Sequence, residues 1–298
     1  ALSAKMAAVA EEAELDILHV HYAVPHATCA FLARQMLRDR DVKVITTLHG
    51  TDITLIGSDK SFFQITKFSI EESQGITAVS ESLKRDTMST FGIKNDIRVI
   101  PNFVNTHRFN RKESRCDMKN IVTDDEKIIL HVSNFRPVKR IADIIRMFVK
   151  VKPKIKSKLL LVGEGPERIP AQELAQDLGL RDSVVFLGQQ EGVDNILSCA
   201  DLYLLPSEQE SFGLSALEAM SCEVPVIGTN VGGLPELIKH GETGYITEVG
   251  DVDKMALHAV DLLTDDTLRK TIGRQARQRV LDNFAEESVV PQYESYYE

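Results

Sequence analysis

Two hydrophobic rhythms alternate along the chain. Short, nearly unbroken apolar runs stop at Gly, Pro or polar residues, and between them lie stretches whose apolar residues recur three and four positions apart. The unbroken runs predict strands buried on both faces of a parallel sheet, and the spaced stretches predict helices with one apolar face. In the first part of the chain this gives strands at 16–22, 43–49, 75–80 and 97–100, with helices near 26–38, 61–72 and 81–90. In the second part it gives strands near 127–133, 158–162, 184–188, 201–205, 225–229 and 244–247, each followed by a helical stretch. Such alternation predicts an α/β protein of two doubly wound, Rossmann-like domains. Between them the pattern breaks at Pro101–Phe109 and the polar stretch Asn110–Asn120, as expected of a linker. The chain opens on a helical pattern (Leu2, Met6, Val9) instead of the strand and Gly-rich turn with which a doubly wound half normally begins.

The stretch richest in chemistry follows the run Asp201–Pro206. Ser207–Met220 reads as a loop and then a helix starting at Gly213. There the N–H groups of Phe212, Gly213 and Leu214 have no partner within the helix, so an anion can meet them together with the positive end of the helix dipole. Glu210 and Glu218 bracket that start. Carboxylates accept hydrogen bonds and suit sugar hydroxyls, so the pattern describes a nucleotide-sugar site at the carboxyl edge of a sheet. A solvated fate for both glutamates is the plainer alternative.

Composition narrows the classes. The 298 residues are 43% hydrophobic and 27% charged, ordinary for a globular protein of about two domains. No apolar run nears the roughly 20 residues that span a bilayer, and no signal peptide opens the chain, so a cytoplasmic protein without a membrane partner is expected. The net charge of −9 argues against a nucleic-acid partner and requires any anionic ligand to meet locally gathered cations. Such cations lie in Ser133–Arg140, directly after a predicted strand. Cys29, Cys116, Cys199 and Cys222 lie far apart and suggest neither a zinc site nor a disulfide framework.

The segment from Pro206 to Ile238, with Glu210-x7-Glu218 inside it, resembles the donor-site signature of the retaining family 4 glycosyltransferases of GT-B fold. That resemblance implies two Rossmann-like domains facing across a cleft, the first lacking its opening strand and Gly-rich loop, a segment of about 70–80 residues. It implies domains at 1–106 and 107–283, with 284–298 returning to the first through Val289, Val290, Tyr293, Tyr296 and Tyr297. Catalytic residues would be His49, Lys139, Arg136 and Glu210. Glu218, Ser211, Phe212, Gly213, Leu214, Gly188, Gln189 and Asn134 would hold the donor. Asn134 stands where the family pattern has an arginine, which makes Arg136 the choice for the second phosphate cation, its guanidinium binding two oxygens at once.

The resemblance narrows at "LDILHVHYAVPHA", "TTLHGTDIT", "TAVSESL" and "VSNFRPVKRI" to family members that move GlcNAc from UDP-GlcNAc to the hydroxyl of L-malate, opening bacillithiol biosynthesis. It implies Tyr22, Thr47 and Lys67 as acceptor residues, no metal and no cofactor. Oligomeric state stays open, and so do a lipid or glycan acceptor and a silent sugar-nucleotide-binding protein. A rival from another class reads His19-x-His21 as half of a metal site in a barrel hydrolase.

Overall fold

The computed structural model describes the chain except for residue 39, residues 54–58 and residues 113–120. Most of the expected linker Asn110–Asn120, and Cys116 with it, lies outside the described residues. Four strands, β1 (Ile17–His21), β2 (Lys43–Leu48), β3 (Gly75–Ala78) and β4 (Arg98–Val99), pair in parallel in that order. Six more form a second parallel sheet: β5 (Lys127–Val132), β6 (Ser157–Val162), β7 (Val184–Gly188), β8 (Leu202–Leu205), β9 (Val226–Thr229) and β10 (Gly244–Thr247). Their spatial order is β10-β9-β8-β5-β6-β7. Counted from β5, this is the doubly wound order whose winding reverses between the first and fourth strands, here β5 and β8.

Local sequence explains the elements. Leu202–Leu205 is buried at every position, which is why β8 reads as an unbroken apolar run. The helix Ile141–Val151 buries Ile141, Ile144, Ile145, Phe148 and Val151, a stripe at helical spacing that packs on the second sheet's core. Helix Glu81–Phe91 starts at Ser80, whose hydroxyl accepts from the Leu83 N–H at 3.1 Å, and ends at Gly92 with φ 64°.

The chain divides into two units, Ala1–Pro101 with Pro291–Glu298, and Asn102–Val290. The first boundary lies earlier than the 106/107 that the sequence suggests, for a physical reason. Val104 donates its N–H to Phe284 O (3.0 Å) and bridges to Ala285, while Arg277 donates to the carbonyls of Thr106 (3.4 Å) and Phe109 (3.2 Å). These bonds fasten residues 102–109 to the second unit. The last helix, Glu286–Tyr297, starts in the second unit, and its final turns belong to the first. There Tyr296 Oη accepts from the Ile76 N–H (2.9 Å), and Tyr297 Oη bonds His19 Nδ1 (2.7 Å).

Glycines in the second unit allow loops to stack beneath one another. A Cβ added at Gly163 would collide with the Ser133 carbonyl, and one at Gly165 with the Asn134 carbonyl. The turn Gly163–Pro166 is thus a wedge under the Ser133–Arg140 loop. Gly179, at φ 70°, has nothing within 4 Å of its added Cβ. Gly163→Ala should therefore cost more than about 3 kcal/mol, and Gly179→Ala only about 1 kcal/mol from its left-handed backbone. Urea unfolding of the two variants beside the parent checks the difference.

Candidate functional site

The loops after β5 and β8 leave adjacent strands at the reversal point of the sheet, where open α/β sheets bind ligands. Val138 O accepts from the Glu208 N–H at 2.8 Å, tying the two loops through their backbones. Lys139 Nζ donates to Glu210 Oε2 at 2.7 Å, with the two side chains 20% and 15% exposed. Ser207 Oγ donates to the same oxygen at 3.3 Å. Two residues predicted as catalytic, seventy-one positions apart, are thus in direct contact.

The helix Leu214–Ser221 begins where the sequence places it. Gly213 is its N-cap at φ 98°, a conformation that favours glycine, and Phe212 is buried edge-on against Phe284 with ring centres 5.8 Å apart. The N–H groups of its first turn have no intrahelical acceptor, and Lys139 is fixed to the loop that leads into them. Beneath that loop Gly232 and Gly233 pack so closely that an added Cβ would strike the carbonyls of Glu210 and Ser211. Glu218 is half-buried one turn inside the helix, and burial pushes its carboxyl up to about 7, with Arg108 opposing and Asp194 adding to the shift. Asn134, Arg136 and Gln189 are exposed, and Gly188 turns at φ 68° with its carbonyl accepting from Gly163 N–H at 2.8 Å. Arg140 pairs with Asp143 at 2.6 Å, which leaves Arg136 as the exposed arginine of this loop.

In the first unit His21 Nδ1 bonds His49 Nε2 at 2.8 Å, and the Tyr22 ring lies 5.1 Å from that of His49. Burial, then the neighbouring His21 and His19, pushes His49 down to about 4, so near neutral pH it is an uncharged imidazole. Tyr22 holds a left-handed φ of 73°, costly for a tyrosine. The next residue explains its persistence: Asp52, only 3% exposed, accepts from the Ala23 N–H at 2.7 Å. Backbone hydrogen bonds from Val24 and His49 also favour its ionised form, against burial, which dominates and raises its pKa. One carboxylate thus braces the loops carrying Tyr22 and His49.

The other two predicted acceptor residues are placed differently. Thr47 is fully buried, its hydroxyl 2.7 Å from both His19 Nε2 and Thr77 Oγ1. Such a side chain can orient His19 from below and has no surface to offer a ligand. Lys67 donates to Phe91 O at 2.6 Å, capping the end of helix Glu81–Phe91, and pairs with Glu71 at 3.4 Å. Spacing within a strand or helix shows none of these distant partners. The His-x-His rival also loses its basis, because His19 faces Tyr297 and Thr47 while His21 faces His49. Among the described residues no group of three or more His, Cys, Asp or Glu is arranged to hold a metal ion.

The family model for glycosyl transferases group 1 matches residues 115–279, and that for Glycosyltransferase Family 4 matches residues 1–108. The whole chain is 48% identical to N-acetyl-alpha-D-glucosaminyl L-malate synthase of Bacillus anthracis and covers 78% of it. The chain is a family 4 glycosyltransferase.

An uncharacterized glycosyltransferase of Methanocaldococcus jannaschii shares 32% identity, with 92% of this chain aligned to 74% of that protein. Among solved structures, sucrose-phosphate synthase from Thermosynechococcus elongatus superposes with a TM-score of 0.84 at 25% identity, over 99% of this chain and 76% of its own. Anabaena HepE in complex with UDP and glucose gives 0.88 at 21% identity, over 99% and 80%, and shows the shared fold. In this glycosyltransferase no helix among the described residues is long and apolar enough to cross a membrane.

Sequence reasoning missed His131 and Tyr203, both fully buried beside the candidate donor loops. Each interrupts a buried apolar strand with a polar group that must find a partner, and that interruption is the only sequence signal they leave.

The position of Glu218 has a consequence for stability. Its folded pKa of about 7 lies above that of an unfolded glutamate, so its contribution is fully present at acid pH and is lost as pH rises through about 7. Neutral His19, His49 and His131, each pushed down to about 4 by burial, contribute the opposite trend, so the difference between two proteins isolates Glu218: without nucleotide, Glu218→Gln should gain stability relative to the parent as pH rises from 5 to 8. Urea titrations of both proteins across this range decide it.

Proposed function

We propose that this glycosyltransferase moves GlcNAc from UDP-GlcNAc to the hydroxyl of L-malate, with retention at the anomeric carbon and without a metal ion, as the first step of bacillithiol biosynthesis. The observation that carries this reading is the 48% identity, over the entire chain, to the Bacillus anthracis synthase whose name states the product. The loop geometry supports it. In this reading Glu218 accepts from the ribose hydroxyls, Gly188 and Gln189 frame the base, and Lys139, Arg136 and the first-turn N–H groups of Phe212–Leu214 surround the diphosphate. Ser211 and Asn134 line the same loops, and Glu210 orients the transferred sugar.

Retention has two chemical routes. A covalent route needs a carboxylate beneath the anomeric carbon. Asp52, the acidic residue nearest His49 in sequence, is closed off and engaged by the Ala23 N–H. That favours attack from the face the UDP leaves. The bond from the anomeric carbon to the β-phosphate oxygen breaks, the malate oxygen bonds that carbon, and the malate hydroxyl proton passes to the β-phosphate. Charge grows on UDP, where Lys139 and Arg136 stabilise it. Neutral His49 presents the sugar with no like-charge cost as positive character grows at its ring. Tyr22, held by Asp52 through Ala23, receives the acceptor, and Thr47 acts through His19.

The test is malate-dependent UDP release from UDP-GlcNAc, with the anomeric coupling of the product read by NMR. An α-linked product formed equally in EDTA is expected. UDP binding with no malate-dependent release, release only with a lipid or glycan acceptor, or activity that requires a divalent ion would overturn the corresponding part. Glu218→Ala should weaken UDP binding by about 1.5–3 kcal/mol, as for hydrogen bonds to a charged group. Lys139→Ala should lower kcat by about 10²–10³, the usual effect of removing one transition-state charge partner. Asp52→Asn should cost far less, since its amide oxygen can still accept from Ala23.

A further inference from the structure

His131 lies on β5, fully buried, and no part of the reaction described above uses it. Its Nδ1 is 2.8 Å from Leu204 O on β8, and its Nε2 is 2.8 Å from Ser133 Oγ. A carbonyl only accepts, so Nδ1 carries the hydrogen. Burial pushes the ring down to about 4, leaving it neutral, so Nε2 is a bare acceptor that takes the Ser133 hydroxyl hydrogen. With its hydrogen turned to His131, Ser133 Oγ offers a lone pair to the Phe135 N–H at 3.2 Å. Each donor and acceptor in this chain of bonds has one assignment.

Phe135 is where that order matters. Its φ is 37°, left-handed and strained for a residue with a Cβ. Its ring is buried and stacked on His131, and its carbonyl accepts from the Glu167 N–H at 2.9 Å. From this fixed residue the chain runs through Arg136 to Lys139, which meets Glu210.

We propose that His131 is a positioning residue for donor binding: through Ser133 it holds the Phe135 backbone in the turn that sets the Arg136–Lys139 segment against the diphosphate. The inference rests on the reading of that segment as the phosphate-binding loop. A simpler role for His131, a cross-strand tie between β5 and β8, needs only its bond to Leu204.

Ser133→Ala separates the two roles, because it keeps the bond from His131 to Leu204 and frees the Phe135 N–H. The proposal expects UDP affinity to fall about tenfold, the effect of one buried N–H left unpaired, while uridine affinity stays as in the parent. Uridine has no phosphates to feel the loop. Equal loss for both ligands, or no loss for UDP, would overturn the proposal. Should Ser133→Ala fold poorly by circular dichroism, Ser133→Thr and Ser133→Val repeat the comparison at constant shape, and the UDP deficit must follow the missing hydroxyl. Lys139→Ala is measured alongside. If it leaves UDP affinity unchanged, the phosphate-loop reading itself fails; if it weakens UDP and Ser133→Ala does not, only the role of His131 fails.

Discussion

The Lys139–Glu210 ion pair stands at the point on which the second unit depends, where β5 and β8 lie side by side and the chain winds away from them in opposite senses. Two loops that part company leave strand ends and a helix start with unpaired polar groups. A partly buried ion pair returns little net stability, because desolvation offsets most of its attraction. Its value here is positional. It fixes a cation beside a helix start, and the surrounding packing is shaped to keep it there. Glycines 163, 165, 232 and 233 let neighbouring turns slide under the two loops with no Cβ in the way.

The first unit solves a related problem with different chemistry. Its candidate groups are neutral, with His19 and His49 each pushed down to about 4 by burial and by the neighbouring His21. A neutral imidazole can lend a lone pair or a hydrogen without attracting the anions that Lys139 and Arg136 are suited to bind. Order there comes from a buried carboxylate, since Asp52 takes backbone N–H groups from the loops after both β1 and β2. The strain at Tyr22 persists because those bonds over-determine it.

Much of this was legible in the sequence because it is local. Buried strands such as Leu202–Leu205 announce themselves as apolar runs, and Gly213 marks its helix start by what a helix start requires. Glu210 and Glu218 could be singled out for the same reason. Partners from distant segments were not legible. Nothing near Lys67 shows that its ammonium caps a helix end at Phe91, and nothing near Thr47 shows that its hydroxyl is enclosed between His19 and Thr77. His131 belongs with them, a lone polar residue in an apolar strand whose meaning depends on Leu204 and on the conformation of Phe135.

The tyrosines of the last helix carry a consequence for how the protein is made. Tyr297 reaches back 278 positions to His19, and Tyr296 reaches back 220 to Ile76, taking its N–H and returning a hydroxyl hydrogen to its carbonyl at 3.2 Å. A ribosome releases residues in order, so the first sheet emerges long before the side chains that complete its hydrogen bonding. Contacts so distant in sequence are slow to close, since the chain entropy of a long loop must be lost before they form. The first sheet therefore remains unfinished until Tyr296 and Tyr297 have been added, and a nick that removes these two tyrosines would take hydrogen-bond partners from strands made 220 or more positions earlier.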